Sequence, residues 1–551
     1  MKSLKQPDLK PGLNSEVGVG KKILPWIGKS DSLNSIKDLH DDLDRIIAQY
    51  DTKRTRIGMS VYSMDRGEYI YQRSADKLFT PASNTKIFTV MASFFIRGDG
   101  GTINTTLFTN GYLDMDTVLV GDLFIRGEGN VFLRGEDLAV FAERLAMMKI
   151  KRVTGNIYID EGHFDGNYDR FKYSGDADVV QKLPDIKPVI LADSHLEITV
   201  SADDLLGGGV SYTVSPPSTV FEVVSNASAT VGGSRGDIYS APEPSFGSYW
   251  WQSSQRYGDA TETFDAEVDV PEEYETSDLA RRKKSSNLQS KHGITVTQKY
   301  SHDTLQRFEI TGKMRSGQSE TFRFPIKDMQ QVVGGSLEYF LLEKGITLEG
   351  KIGYGTINGY KENERIALAT VGYPLEEMAM PINKKSNNFI AEQMFKFVGG
   401  TADTAKNYRG YQKIFKAMLD TLEIECDGCK LNDGSGLSRR NLLTPNSLVE
   451  VLLASEEVPY SGVMANTLGI AGVDGTIRKR MRKSLAQGNL RAKTGTLRNV
   501  SALSGFVTTK DGERLVFSIL SNGPSPYKYK RMEDELGIKL AEFHYFTNTG
   551  G

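Results

Sequence analysis

The chain has little of what metal and redox sites require. Its 551 residues include two cysteines and six histidines, and the histidines are scattered without the spacing of metal ligands. Cys426 and Cys429 cannot complete a tetrahedral zinc site by themselves. The βαβ context of a thioredoxin-type redox motif is also missing around them. We therefore predict neither a metal site nor a cofactor.

Charge excess and long apolar runs are absent as well. The net charge of −3 provides no basic surface, so a nucleic acid is not an expected partner. No apolar stretch is long enough for a transmembrane segment, and no apolar core of a signal peptide is present. Residues 1–31 are polar and contain Gly and Pro, which predicts a disordered segment. With 39% hydrophobic residues, a chain of this length can bury two or three cores.

Three short strings carry the chemistry that is present. They are Ser83-Asn-Thr-Lys86, Ser386-Asn-Asn388 and Lys493-Thr-Gly495, in this order along the chain. An alcohol attacks a carbonyl at neutral pH only when an adjacent base takes its proton and donors meet the oxyanion. Together the strings supply these groups without a histidine, which predicts an enzyme that is acylated on Ser83.

Lys86 is the predicted base. A serine and a lysine three residues apart on a helix share one face and reach each other. The lysine can accept a proton only if burial or a neighbouring cation lowers its pKa toward neutrality, and Lys493 is a candidate for that cation.

The spacing of the first string is weak evidence without its context, because Ser74-Ala-Asp-Lys77 has it too. Pro81 precedes Ser83 where a helix can begin, and apolar residues then recur at helical spacing. Ser74 instead lies in a polar stretch, which we interpret as surface. Ser83 is therefore the predicted nucleophile.

The other two strings also have ordinary structural readings. Ser386-Asn-Asn388 in isolation would more often be a loop or a helix cap. Lys493-Thr-Gly495 precedes an apolar run, an Asp511-Gly512 turn and a second apolar run, a pattern that predicts a β-hairpin. An edge strand beside the active serine can pair with an extended peptide substrate. The order of all three strings favours the catalytic reading.

With these motifs the chain resembles the serine-type D-alanyl-D-alanine carboxypeptidase/endopeptidases, the low-molecular-mass class C penicillin-binding proteins of peptidase family S13. The stretches 433–439, Asp-Gly-Ser-Gly-Leu-Ser-Arg, and 472–476, Gly-Val-Asp-Gly-Thr, are similar to family segments. So are residues 153–160 and 215–218. The resemblance covers most of residues 36–551, and residues 233–290 are its main departure.

The fold class follows from the pattern and from the resemblance. Strands from both chain ends with helices on their faces predict an α+β fold. The resemblance implies a penicillin-binding transpeptidase/β-lactamase-like domain, formed by residues 32–102 and 359–551. About three hundred residues separate Lys86 from Ser386, too many for a loop. Residues 103–358 contain short β patterns and are predicted to be a β-rich insertion of two small domains, with a flexible segment near 233–290.

The resemblance also implies a function and a role for each motif residue. The predicted substrate is a peptidoglycan stem peptide, from which a terminal D-alanine is removed or in which a cross-link is cleaved. Ser386 would pass a proton to the departing amine, and Asn388 would hold Lys86 and the substrate amide. Substrate would bind to Thr494, Gly495 and Thr496, and the backbone N–H groups of Ser83 and Thr496 would form the oxyanion hole. β-Lactams would acylate Ser83 and act as covalent inhibitors.

Two alternatives remain open at this point. A β-lactamase would use the same three strings with a carboxylate that activates water, and Glu423 and Glu425 lie in a suitable interval of the sequence. A non-catalytic penicillin sensor or cell-wall scaffold would be acylated but would process no peptide. Within residues 233–290, Trp250 and Trp251 are either part of a solvated excursion or part of a glycan or partner surface.

Localisation and the two cysteines depend on each other. The sequence alone is compatible with a cytosolic protein, whereas the resemblance implies a periplasmic or other extracytoplasmic location and a cleaved leader that this numbering omits. In an oxidising envelope Cys426 and Cys429 would form a local disulfide that tightens the loop before Asp433, and in a cytosol they would be two free thiols.

Overall fold

The computed structural model describes residues 29–544 with several gaps. These gaps are residues 99, 115–116, 177–180, 192–194, 203–209, 231–285, 290–292, 301–305, 327, 403–406, 458–459 and 461. The predictions for residues 1–28, for most of residues 233–290 and for Trp250 and Trp251 therefore lie outside the described residues. Helix formation begins at Lys29, three residues inside the segment that we expected to be disordered.

Helices and short strands alternate over the described part of the chain. The helices are α1 (Lys29–Ala48), α2 (Thr85–Arg97), α3 (Gly135–Met147), α4 (Arg170–Ser174), α5 (Met329–Glu343), α6 (Leu375–Lys384), α7 (Asn388–Ala402), α8 (Asn407–Thr421), α9 (Pro445–Ala454), α10 (Val463–Thr467) and α11 (Pro526–Glu542). The strands are β1 (Arg56–Ser63), β2 (Glu68–Arg73), β3 (Thr102–Thr109), β4 (Tyr112–Asp114), β5 (Val118–Val120), β6 (Leu123–Gly127), β7 (Arg152–Val153), β8 (Ile157–Asp160), β9 (His195–Ser201), β10 (Ser211–Ser215), β11 (Phe221–Ser225), β12 (Ser228–Thr230), β13 (Ser286–Gln289), β14 (Ile294–Tyr300), β15 (Gln306–Arg315), β16 (Ser319–Pro325), β17 (Thr347–Leu348), β18 (Ile352–Tyr354), β19 (Ile366–Pro374), β20 (Gly469–Ile470), β21 (Arg491–Leu497), β22 (Val500–Thr508) and β23 (Arg514–Asn522).

These elements form two compact units. The first contains the described residues up to Thr102, the segment Asn167–Ile186 and the described residues from Pro374 onward. The second contains Ile103–Gly166 and Lys187–Tyr373. The first unit holds all three sequence strings.

The first unit is built on a six-stranded antiparallel sheet in the order β2-β1-β23-β22-β21-β20. Both faces of this sheet are covered. Met59 and Val61 point to the face on which Leu43 of α1 and Leu536 of α11 pack. Ser60 points to the opposite face, where its hydroxyl donates to Asn446 Oδ1 of α9 at 2.7 Å. Because successive side chains of a strand alternate between faces, a strand covered on both sides is apolar along most of its length.

Helix α2 is enclosed by other helices in this unit. Its residues from Thr85 to Phe94 are all buried, and it packs against α6, α7, α8 and α9. A helix that is buried on every side must be apolar all round, so the single lysine within it, Lys86, stands out as a functional residue. The 3-10 turn Ala82–Asn84 leads into the helix and carries Ser83.

The described residues of the second unit form four small sheets. Two of them, β10-β9-β16 and β11-β15-β14-β13, share a core formed by side chains such as Ile198, Val296 and Phe308. The other two, β17-β7-β5-β4 and β18-β8-β6-β3-β19, contain parallel pairs such as β6 with β8. Helices α3 and α5 pack on each other, and α5 also contacts β8 and β18. The division of the insertion into two domains remains a prediction.

The sequence predicts the fold class correctly, since the chain is α+β with an antiparallel sheet between helices in its first unit. The unit boundaries differ from the predicted ones in two places. Strand β19 pairs with β3, so the second unit extends to Tyr373 and not to residue 358. Residues 167–186, expected within the insertion, belong to the first unit.

Candidate active site

The first string forms a contact between its two functional side chains. Lys86 Nζ lies 3.0 Å from Ser83 Oγ, at the hydrogen-bonding distance that proton transfer requires. Ser83 lies in the 3-10 turn and Lys86 in the first turn of α2, so the spacing of three residues places both on the same side. Ser74, the serine of the second string with the same spacing, has a positive φ of 46° and lies in a polar turn outside this helix.

Lys86 is fully buried and has three oxygen neighbours. Its Nζ donates to Asn388 Oδ1 at 2.7 Å and also contacts the carbonyl oxygen of Ser435. Burial lowers the pKa of Lys86 to about 7, although the nearby carboxylates of Asp433 and Glu392 act in the opposite direction. Removal from water destabilises the ammonium, which makes the neutral amine accessible near neutral pH.

The second and third strings meet at another lysine–serine pair. Lys493 Nζ donates to Ser386 Oγ at 2.9 Å and to the carbonyl oxygen of Thr494 at 2.9 Å. Lys493 is fully buried, and burial together with the charge of Lys86 lowers its pKa well below the ordinary value. Ser386 adopts a positive φ of 55°, a strained conformation that directs its side chain from the end of α6 toward Lys493.

Asn388 begins α7 and connects Lys86 to a fourth segment of the chain. Its carbonyl accepts from Lys86, and its Nδ2 donates to Gln181 Oε1 at 2.5 Å. Gln181 comes from the segment 167–186, far from Asn388 in sequence. The three strings therefore converge on one site, as the sequence predicts, and a fourth segment joins them.

Strand β21 runs beside the nucleophile because of a glycine. A Cβ on Gly495 would lie 2.7 Å from the carbonyl oxygen of Pro81 and 3.1 Å from the backbone nitrogen of Ser83. Any larger residue would push the strand away from the turn. Among the described residues, β20 pairs with Arg491 and Ala492 only, so no described strand covers that edge of β21 beside Lys493 and Thr494.

The threonines of this strand differ in their surroundings. Thr494 Oγ1 lies 2.8 Å from Thr476 Oγ1, in the Gly-Val-Asp-Gly-Thr stretch. Thr496 is exposed. Both threonines lie on β21, and the binding roles that the resemblance implies for them remain a prediction.

A buried acidic cluster beneath the nucleophile has no counterpart in the sequence predictions. Glu392 Oε1 accepts from the backbone N–H of Ser435 at 2.8 Å, and Oε2 accepts from Gly434 at 3.2 Å. Asp433 accepts from Arg170 Nη1 at 2.7 Å and from the backbone of Gly436 at 3.0 Å. The loop Asp433–Gly436 is thereby held by side chains of α4 and α7.

The surroundings of this cluster also change the protonation of Glu392. Burial and the charge of Asp433 raise the pKa of Glu392 to about 7. The sequence indicates the loop through its Asp-Gly-Ser-Gly run, but nothing in the sequence around Glu392 or Arg170 points to the site. Arg170 lies some two hundred and sixty residues before Asp433, and only the folded chain brings the two together.

The candidate carboxylates of a β-lactamase are not in this site. Glu423 and Glu425 are exposed and lie in the turn after α8. The charge of Glu425 acts on Glu450, whose carboxylate accepts from Tyr69. The carboxylates that lie beneath Ser83 are Glu392 and Asp433, and both accept hydrogen bonds from backbone amides.

Cys426 and Cys429 form a disulfide between α8 and the Asp433 loop.

The described residues contain neither a metal-binding cluster nor a membrane-spanning helix. No group of three or more His, Cys, Asp and Glu side chains in the described ranges is arranged to hold a metal ion. No helix in the same part of the chain is both long and apolar enough to cross a bilayer.

Comparison with known sequences gives a match over most of the chain. The sequence profile of the D-Ala-D-Ala carboxypeptidase 3 (S13) family matches residues 39–237 and 255–542. A D-alanyl-D-alanine carboxypeptidase of Actinomadura sp. (strain R39) is 26% identical over 514 residues, which are 92% of this chain and 85% of the relative.

Solved structures support the same fold. The crystal structure of penicillin binding protein 4 (dacB) from Haemophilus influenzae aligns with a TM-score of 0.56 and 19% identity, over 91% of this chain and 97% of that one. The same protein in complex with a β-lactam aligns with a TM-score of 0.54 and 20% identity, over 93% and 100% of the two chains. This likeness confirms the predicted transpeptidase-like fold.

Proposed function

The protein belongs to the D-Ala-D-Ala carboxypeptidase 3 (S13) family, and on that premise we propose that it is a serine peptidase of peptidoglycan stem peptides with Ser83 as its nucleophile. The observation that carries this proposal is the contact between Ser83 Oγ and Lys86 Nζ at 3.0 Å in a buried site. A nucleophile within reach of a base of suitable pKa is the minimal requirement for acyl transfer.

Acylation uses the first string. Ser83 Oγ attacks the carbonyl carbon of the penultimate D-alanine, and the Ser83 proton passes to the neutral amine of Lys86. The backbone N–H groups of Ser83 and Thr496 stabilise the oxyanion, which develops between the nucleophile turn and β21. The peptide bond then breaks as its nitrogen leaves.

The departing amine needs a proton. Ser386 donates it and is reprotonated by Lys493, whose Nζ lies 2.9 Å from Ser386 Oγ. Lys493 and Lys86 are both buried, and the charge of Lys86 lowers the pKa of Lys493. The proton that Lys86 gained from Ser83 therefore has a reason to move on, and the two lysines and Ser386 pass it toward the leaving group.

Substrate orientation depends on β21. The peptide extends along the open edge beside Lys493 and Thr494, where main-chain hydrogen bonds add a strand to the sheet. Thr494 and Thr496 bind the terminal carboxylate, Gly495 allows the close approach, and Asn388 holds the substrate amide. Water then attacks the acyl-enzyme and releases the shortened peptide.

The same steps cleave two related bonds. A terminal D-alanine and a D-alanyl cross-link both present a carbonyl next to a D-residue, so carboxypeptidase and endopeptidase activities use identical machinery. β-Lactams acylate Ser83 because their strained amide meets the same groups. The substrate is extracytoplasmic, and we propose an extracytoplasmic or periplasmic location for the protein.

The experiment is mass spectrometry on defined stem peptides. The wild type should release D-alanine or cleave the cross-link, and Ser83→Ala should do neither. Ser74→Ala is the matched control, because it removes the serine of the second S-x-x-K string and should retain full activity. Absence of cleavage by the wild type would refute the peptidase assignment and favour the sensor or scaffold.

Drug turnover separates the peptidase from a β-lactamase. A peptidase should retain a stoichiometric β-lactam adduct on Ser83, whereas a β-lactamase would hydrolyse many molecules per enzyme. The exposed positions of Glu423 and Glu425 favour the peptidase, since neither provides a base beside the nucleophile.

A further inference from the structure

The carbonyl oxygen of Ser435 lies at the centre of the nucleophile contacts. It accepts from Lys86 Nζ and, at 3.3 Å, from Ser83 Oγ. A neutral lysine amine has two N–H donors and one lone pair. The two N–H groups are directed at the Ser435 carbonyl and at the side-chain carbonyl of Asn388. This leaves the lone pair to accept the Ser83 proton when the hydroxyl rotates from the Ser435 carbonyl to the amine. The orientation of the base thus depends on where the Ser435 carbonyl is held.

Glu392 holds it. Its carboxylate accepts from the backbone N–H groups of Ser435, at 2.8 Å, and Gly434, at 3.2 Å. Two acceptor bonds to successive amides fix the peptide plane that precedes the Ser435 carbonyl. Tyr173 donates to Glu392 Oε2 at 2.8 Å and fixes the carboxylate in turn.

We infer that Glu392 is a positioning residue for acylation, which acts by holding the Ser435 carbonyl against Lys86 and by adding a negative charge beside the base. This inference rests on the proposed function, since it takes Lys86 as the base. The hydrogen bonds of Glu392 go to the loop and to Tyr173 and not to Ser83, so it acts through the loop and through the charge of Lys86.

Titratable groups on four other elements lie around Glu392. Lys86 lies on α2, Asp433 on the loop, Arg170 and Tyr173 on α4, and Tyr411 on α8. Lys396, one turn further along α7, stacks on the Tyr173 ring at 4.3 Å. The Glu392 anion favours the protonated form of Lys86, so its removal lets the amine become neutral at lower pH.

Glu392→Gln tests both the positioning of the Ser435 carbonyl and the effect of the negative charge on Lys86. An amide oxygen can accept from one backbone N–H, but the amide nitrogen cannot accept from the other, so the loop loses one of its anchors. We expect the acylation rate on the plateau to fall by roughly tenfold to a hundredfold, as for a small misplacement of a catalytic group. We also expect the acid limb of the pH profile to shift to lower pH, because the base loses a neighbouring anion.

The measurement is the rate at which a β-lactam labels Ser83, from about pH 5 to about pH 9. Glu450→Gln is the control: Glu450 is a partly buried carboxylate outside the site that, like Glu392, accepts from a tyrosine, in this case Tyr69 at 2.9 Å. Glu450→Gln should leave the labelling rate and its pH profile unchanged. Thermal unfolding checks that the variants fold.

Tyr173→Phe tests the role of Glu392 if the Glu392→Gln variant does not fold. The Tyr173 hydrogen bond lowers the pKa of Glu392, so its loss should make Glu392 take up a proton at higher pH. The neutral carboxyl no longer favours the Lys86 cation, so the acid limb should move to lower pH, in the same direction as in Glu392→Gln. A folded Glu392→Gln with a wild-type rate would overturn the inference, and so would a slower rate with an unshifted acid limb. Failure of the wild type to label Ser83 would instead refute the proposed function.

Discussion

Gly436 lies directly against Ala82, the residue before the nucleophile. A Cβ on Gly436 would lie 1.9 Å from the carbonyl oxygen of Ala82 and 3.0 Å from the Cα of Ser83. Gly436 has a φ of +81°, and Ala82 itself has a positive φ of 47°. The Asp433–Gly436 loop thus supports the strained turn that presents Ser83, and only glycine permits this approach.

Gly436→Ala should therefore damage both stability and acylation. The methyl group cannot fit beside a backbone carbonyl, so the loop or the nucleophile turn must move. We expect a loss of about 2–4 kcal/mol in the free energy of unfolding, the sum of backbone strain and overpacking. β-Lactam labelling of Ser83 should fall by at least about tenfold, because the turn carries the nucleophile.

Gly512→Ala separates contact from backbone strain. Gly512 has a φ of +91°, and nothing lies within 4 Å of the position of its Cβ. This variant should lose about 1–2 kcal/mol from strain alone and should label Ser83 normally. Equal labelling by both glycine variants would show that the Gly436 contact does not support the nucleophile.

The pH dependence of acylation should follow Lys86. Only the neutral amine accepts the Ser83 proton, and burial lowers the pKa of Lys86 to about 7. The labelling rate should therefore rise as pH increases through about 7. Lys86→Arg replaces the base with a group that stays protonated and should lose a factor of about 10² to 10⁴.

Lys77→Arg is the control for this substitution, because Lys77 belongs to the second S-x-x-K string and is exposed. Its rate and pH profile should match those of the wild type. A wild-type rate that stays constant or falls as pH increases through about 7 would exclude Lys86 as the base.

The sequence predicts helices and strands well where apolar residues recur at a regular spacing. The apolar residues at helical spacing after Ser83 predict a helix, and α2 is present there. Residues 515–520 lie within β23. In these segments the period of the apolar residues is a local property, so no information from distant parts of the chain is needed.

Other features depend on distant contacts that leave no local pattern. Glu392 lies in α7 among apolar neighbours, and only the approach of the Asp433 loop gives it two backbone donors. Gln181 and Arg170 reach the site because residues 167–186 join the first unit. The motif strings identify the chemistry, while the residues that support it are visible only in the fold.

Thr476 should orient Thr494 for substrate. Their hydroxyl oxygens lie 2.8 Å apart, so the first restricts the rotation of the second. Thr476→Val removes this hydrogen bond and should raise KM for a stem peptide by up to about tenfold, the value of one hydrogen bond, with kcat little changed. Steady-state kinetics measure the split.

Thr106→Val is the matched control, because Thr106 forms a similar pair with Thr370 at 3.0 Å on the second unit. It should leave both constants unchanged. A lower kcat with an unchanged KM in Thr476→Val would show that this pair serves the chemical step and not substrate binding.

The buried ion pair of Arg170 and Asp433 should matter far more than an exposed one. Arg170 Nη1 lies 2.7 Å from Asp433 Oδ2, and their side chains are 3% and 0% exposed. Arg170→Met leaves the Asp433 carboxylate buried without its cation and should cost about 3–5 kcal/mol of unfolding free energy. Arg152→Met breaks an exposed pair with Glu349 and should cost at most about 1 kcal/mol. Similar losses in urea unfolding would contradict the role of the Arg170 charge.

Lys86 should also make stability depend on pH in a definite direction. Its pKa is about 7 in the folded protein and near 10.5 in the unfolded chain. Between these values the unfolded state binds more protons, so the contribution of Lys86 to the free energy of unfolding increases with pH. From about pH 7 to about pH 9 the increase should amount to about 2 kcal/mol.

Lys86→Met removes this dependence. The variant should be the more stable protein at neutral pH, because the buried amine no longer has to lose hydration or a proton, and its advantage should shrink by about 2 kcal/mol at about pH 9. Urea unfolding at the two pH values measures the difference, and Lys77→Met, which removes an exposed lysine, should show no such change. An advantage that stays constant or grows with pH would mean that Lys86 is not held with a lowered pKa, and the base would have to be sought elsewhere in the site.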